Sequence, residues 1–212
     1  MMVIVILTVY FINMIDNFDL IANSLLNFSK ESDFYFIQII QRYNKGFNKN
    51  KLIKDFYIYS KQELIDLKSR IIEYCTKYEC RAYIYPCKRN TKELCLKAIN
   101  YLSNLLLTND KCDGRNVWGI VSSQFKSSES PSLYLVDVDS KDTLLLDNYI
   151  RNISNVEGSE GYRVKAIVPT VHGFHLITTG FNVSNFNKLC CEQNIPKVEV
   201  HKNNPTLLYA YQ

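Results

Sequence analysis

Leu133 to Asp139, LYLVDVD, restricts what this chain can become more than any other stretch. Its apolar and β-branched residues specify a strand. Side chains on a strand alternate with period 2, so Asp137 and Asp139 point the same way at its end. Two carboxylates that close repel unless one binds a proton or a divalent cation neutralises both. After a helix expected over about 141–153 comes a second run, Val164 to Thr179, VKAIVPTVHGFHLITT. It reads as strands at Tyr162–Val168 and Phe174–Thr179 around a turn at Pro169–Gly173.

The remaining pattern alternates helix and strand. Residues 15–43 carry apolar residues at helical spacing and are expected to form a helix. Leu52–Tyr59 is a strand candidate. Ser60 and Glu63 form a capping box for a helix with Leu64, Leu67, Ile71, Ile72 and Cys75 on its buried stripe. Arg81–Pro86 is a strand, and Asn90 with Glu93 opens another helix. Residues 109–131, with Gly114, Gly119, Pro131 and a serine-rich run, read as a loop. Ser184 is expected to cap a helix ending near Gln193, and strands at Val198–His201 and Leu207–Tyr211 close the chain. This order gives an α+β class, with helices packed on sheets. The expected division is 1–51 as an apolar segment with helices, 52–108 as a βαβα module, 109–131 as a loop and 132–212 as the acid-bearing half. Residues 52–212 are expected to form one compact unit.

Composition narrows the functional classes. At 212 residues, with 47% hydrophobic and 22% charged residues, the chain supports a packed core and is not of disordered composition. A net charge of +4 permits contact with nucleic acid without requiring it. Seven cysteines without a CxxC pair read as reduced core residues of a cytosolic protein, with a zinc site assembled from distant parts as the alternative. The apolar Met1–Met14 lacks the basic region and cleavage site of a signal peptide and is too short to span a bilayer, so no membrane partner is expected. An edge strand, a buried tail, or a true start at Met14 are the readings of this segment.

Phosphoryl chemistry is the reading of the acid pair, with Mg²⁺ or Mn²⁺ as cofactor. The histidines all lie in the last quarter of the chain, and His172 and His175 flank Gly173, where a hairpin is expected to need positive φ. An imidazole beside a metal-bound phosphate donates a hydrogen bond to its oxygens. Glu199, sharing a face with His201, is a third carboxylate for the cation. Lys202 is a phosphate neutraliser, and Arg89 beside Lys88 at a helix N-terminus is a phosphate cradle. For Glu199 to Lys202 a solvated edge strand is the competing reading, and for Arg89 an exposed basic loop.

The strand Leu135–Asp139 with its two acids, the hairpin returning Gly173-Phe174-His175, and the strand-borne Glu199 together resemble the catalytic core of the archaeo-eukaryotic primase superfamily. The resemblance covers roughly Leu52 to the C-terminus. It implies a mixed sheet with an RRM-like βαββ-type half preceded by the βαβα module. It also implies metal ligation by Asp137, Asp139 and Glu199, and phosphate contact by His175, with Thr170 replacing the small polar residue that precedes the histidine in many members. His172 and Lys202 join that phosphate site. The implied activity is divalent-metal-dependent nucleotidyl transfer on a single-stranded DNA template in replication, with a separate helicase as partner. DFYFIQII, CRAYIYP and HKNNPTLLY are similar to segments of small tailed-phage proteins, which implies the host cytoplasm. A catalytically inactive nucleic-acid-binding module and a metal-dependent nuclease or nickase, the latter with His172-x-x-His175 in place of the usual His pair, are the alternatives.

Overall fold

In the computed structural model, residues 14–42, 50–108, 114, 116–156 and 163–211 are described. Residues 1–13, Cys112 and Tyr162 lie outside them. The long helix expected over 15–43 is instead a strand β1 (Ile15–Asp16), a short helix α1 (Phe18–Ser24) and a nine-residue strand β2 (Asp33–Gln41). The reason lies in β2's place at the centre of a sheet. Its residues Asp33 to Ile37 are all buried, so DFYFI carries no polar face, and a continuous apolar run does not by periodicity separate strand from helix.

β2 pairs antiparallel with β3 (Lys51–Ile58) on one side. The capping box then starts α2 (Lys61–Lys77): Ser60 Oγ accepts from Glu63 N at 3.1 Å, and the Glu63 carboxylate accepts from Tyr59 N at 2.6 Å. The helix buries Leu64, Ile71 and Cys75 and delivers β4 (Arg81–Ile84) to the far side of β2. A two-residue strand β5 (Arg89–Asn90) pairs with the start of β2, and Asn90 Oδ1 caps α3 (Thr91–Thr108) by accepting from Lys92 N and Glu93 N. The expected loop at 109–131 contains a helix, α4 (Val117–Gln124), whose Val117 and Val121 pack with Phe34 and Leu94. Apolar packing overrides the serine-rich composition there.

The second sheet is built from β6 (Leu133–Val138), α5 (Thr143–Asn155), β7 (Val164–Pro169), β8 (Phe174–Thr179), α6 (Val183–Glu192) and β9 (Glu199–Lys202). Its strand order is β7-β8-β6-β9. α5 connects strands that flank β8, and α6 connects strands that flank β6. Two split βαβ units therefore interlock as βαββαβ. A strand inserted inside each crossover makes every pairing in both sheets antiparallel, where a mixed sheet was expected. Asn182, not Ser184, caps α6, its Oδ1 accepting from Asn185 N at 3.1 Å.

Alternation then divides the second sheet's faces. Val136, Val138 and Leu176 pack under α5 and α6 with Tyr149, Ile153 and Phe186. Leu133, Leu135, Val168 and Ile177 face the other way and join Ile37, Ile39, Ala82, Ile84 and Leu208 of the first sheet in one core. The chain's last strand, β10 (Thr206–Ala210), is wholly buried and returns to the first sheet between β1 and β4. Cys75, Cys80, Cys87 and Cys190 are buried and stand outside any disulfide. Among the described residues no helix is long and apolar enough to cross a membrane.

Candidate active site

The face of β6 that carries Leu133 and Leu135 into the core continues to Asp137, and there the core opens. Cross-strand register sets His175 opposite Asp137 on β8 and Glu199 opposite it on β9. Directly opposed residues on one face lie about 5 Å apart at Cβ, so the three form a row. One rung inward the row is Ile177, Leu135 and His201. Asp139 follows the end of β6 on the same side.

Leu135, Asp137, Asp139, His175, Glu199 and His201 line a cleft of about 380 Å³ whose opposite wall comes from the first sheet. Arg42, Arg81, Tyr83 and Leu207 form that wall, and Thr170, Val171 and His172 of the β7–β8 turn close one end. Arg42 lies over the Tyr83 ring at 5.7 Å. Among the described residues no lysine or arginine forms an ion pair with Asp137 or Asp139.

The electrostatics follow from this geometry. Burial raises the Asp137 carboxyl pKa above its usual range, and the neighbouring Asp139 and Glu199 add to the rise, partly offset by His201 and Arg42. Burial pushes the His175 imidazole down to about 4 despite the pull of Asp139, so it is neutral at pH 7. Its Nε2 stands 3.5 Å from Asp137 Oδ1, and its Nδ1 is hydrogen-bonded to Thr206 Oγ1 at 2.9 Å.

The hairpin that returns His175 depends on Gly173 for a reason other than positive φ. A Cβ there would lie 1.9 Å from Val138 O, 2.6 Å from Ser140 N and 2.8 Å from Ser140 O, all backbone atoms. The glycine lets the turn lie directly on the end of β6, and its φ is not in the left-handed region. Thr170 tightens the turn, its Oγ1 accepting from Gly173 N at 3.0 Å.

Glu199 lines the cleft, while Lys202 and Arg89 fall elsewhere. Glu199 is mostly exposed and bonds His201 at 3.0 Å. Lys202 pairs with Tyr134 and, by alternation, shares the face of Val136, away from the cleft. Arg89 is 2% exposed, lies 4.6 Å over Tyr85 and donates to the carbonyls of Ser122 and Cys87, so it is no phosphate cradle. The pairing of β5 with β2 turns it inward. Tyr209 is buried and Tyr134 packs on Phe181, so neither ring is open to stack a base. Arg42, Arg81 and Thr206 were missed. With 33–41 read as a strand, Arg42 would have stood out at its end.

Among the described residues no group of three or more His, Cys, Asp or Glu side chains is placed to hold a metal ion. Magnesium does not require such a cage, since it keeps several waters and takes one or two carboxylates plus substrate phosphates. Asp137, half-buried, and Asp139, exposed at the end of β6, form no ion pair with lysine or arginine among the described residues and have the donor chemistry for that kind of site. Comparison with protein-family models, curated proteins and solved structures finds no match.

Proposed function

We propose that the chain is a divalent-metal-dependent nucleotidyltransferase of primase-polymerase type, with a primase-like core. The observation that carries the reading is the composition of one cleft. Two acids that form no ion pair with lysine or arginine among the described residues, and a neutral histidine, stand on one wall, and two arginines on the other. Substrates with a reactive phosphate and several negative charges match that division.

When bound at Asp137 and Asp139, Mg²⁺ or Mn²⁺ neutralises phosphate charge and favours the ionised form of an attacking hydroxyl. Asp137 and Asp139 would hold the ion, and His175 stands beside Asp137 on the same wall. His175, being uncharged, donates a hydrogen bond to a phosphate oxygen without competing for the cation. Arg42 and Arg81 present planar guanidinium groups to the triphosphate from the opposite wall. The β7–β8 turn, tied by Thr170 and Gly173, fixes the spacing between acids and imidazole. Single-stranded DNA and nucleotides are the proposed substrates, a separate helicase the proposed partner, and the cytoplasm of a phage host the proposed place of action.

A second reading has one observation in its favour. Glu199 is occupied by His201, which leaves two carboxylates for an ion and suits a module that binds nucleic acid without catalysis. Purified protein with labelled nucleotides, single-stranded template and Mn²⁺ separates the two. Extended products that vanish on Asp137→Ala with Asp139→Ala support the transferase. Template binding that survives the double substitution, with no product from wild type, supports the module. Shortened template marks a nuclease and overturns both.

A further inference from the structure

We propose that Thr206 is a positioning residue that fixes the tautomer of His175, so that its N–H faces the cleft; this rests on the reading of the cleft given above. The two residues belong to different sheets. His175 is on β8, while Thr206 opens β10 and pairs with Ile84 of β4. Their bond, Oγ1 to Nδ1 at 2.9 Å, ties the imidazole to the opposite wall.

The argument is an inventory of donors. Thr206 is 0% exposed, so its hydroxyl has no access to bulk water. Among the described residues its only hydrogen-bond partner is His175 Nδ1. A hydroxyl carries one hydrogen, and a neutral imidazole has one N–H and one bare nitrogen. If Nδ1 carried the proton, it would donate to Oγ1 and leave the hydroxyl hydrogen buried with no acceptor, which is unfavourable. It would also turn the bare lone pair of Nε2 toward Asp137 Oδ1, 3.5 Å away. If Nε2 carries the proton, the hydroxyl donates to Nδ1 and the N–H points at the carboxylate side of the cleft. Every donor then has an acceptor or faces the space where substrate binds.

The backbone holds Thr206 in place for this task. Asn203, at φ 56°, makes the turn from β9 to β10; its N donates to Leu133 O at 2.7 Å and its Oδ1 accepts from Leu133 N at 3.2 Å. Pro205 then leads directly into Thr206. The start of β10 is thus tied to the start of β6, the strand that carries Asp137 and leads into Asp139.

Long-range ¹⁵N–¹H correlation spectra of histidine-labelled full-length protein at neutral pH read the tautomer directly, with His175 assigned by its loss in His175→Gln. Wild type is expected to show the Nε2–H form, Thr206→Ser to keep it, and Thr206→Val to convert part of it to Nδ1–H. Where extension activity is present, Thr206→Val is expected to lose roughly 10- to 100-fold in kcat, the range for removing a partner that orients a histidine, with Thr206→Ser restoring it. A wild-type Nδ1–H spectrum overturns the proposal without any variant needing to fold. So does a folded Thr206→Val whose spectrum matches wild type. Failure of wild type to extend a template counts against the transferase reading alone, because the spectrum is read without substrate.

Discussion

Gly173→Ala tests whether the acids and the histidine act as one site. The added Cβ would sit 1.9 Å from Val138 O, against an ordinary contact distance of 3.4 Å or more, and 2.6 Å from Ser140 N. Both obstacles are backbone of the segment that carries Asp137 and Asp139, so no rotamer change relieves them. The turn and the end of β6 must part by about 1.5 Å, a displacement of the order that costs about 100-fold when reacting groups are misplaced. Overpacking costs about 1–3 kcal/mol, and loss of a ladder hydrogen bond between β6 and β8 adds about 1 kcal/mol. Gly180→Ala is the control, because its Cβ meets only the movable Tyr134 ring, at 3.1 Å. Urea unfolding followed by circular dichroism, together with template extension, measures both effects. A Gly173→Ala protein with wild-type stability and activity would refute the close approach of turn and strand, and with it the argument that Gly173 sets the spacing of the site.

Three further outcomes are expected. Arg42→Ala and Arg81→Ala should each raise the nucleotide KM by roughly ten-fold or more, as loss of a charge-assisted contact does, while Lys202→Ala leaves it unchanged; steady-state extension kinetics decide. Asp33 is 1% exposed; burial favours its protonated form, but bonds from Lys88, Ser29 and Lys30 outweigh this and hold its carboxyl at about 2. A depressed folded-state value contributes stability above the unfolded value of 3.8 that is lost as pH falls toward 2, so Asp33→Asn should remove about 2 kcal/mol at neutral pH and flatten acid unfolding in that window. Arg89→Met should destabilise by about 1–3 kcal/mol through the orphaned carbonyls of Ser122 and Cys87 and the lost contact with Tyr85, with no change in nucleotide KM, as read by thermal unfolding and extension kinetics.

What the sequence made legible is what short-range geometry controls. Period-2 alternation in LYLVDVD is enough to put Asp137 and Asp139 on one face. The Ser60–Glu63 spacing is enough to start α2. Lys202 was misassigned to the phosphate site, although the alternation that joins Glu199 to His201 sends it to the opposite face. β2 was not legible, since a strand covered on both faces loses the polar positions that distinguish it from a buried helix.

The opposing wall of the cleft was hidden for a different reason. Arg42, Arg81 and Thr206 stand at the ends of three strands that are far apart in the chain, and each looks like an ordinary surface or strand residue. Only the order β10-β4-β2 gathers them on one sheet, with Arg42 and Arg81 toward one end and Thr206, opposite Ile84, toward the other, and the core shared by Ile37, Ala82, Leu208, Leu135 and Ile177 brings that sheet over the acids. The same apolar contact that stabilises the two sheets thus fixes the distance between the arginines and the carboxylates. A substitution such as Leu135→Ala, made in the core, is therefore expected to disturb the cleft through sheet spacing as well as through stability.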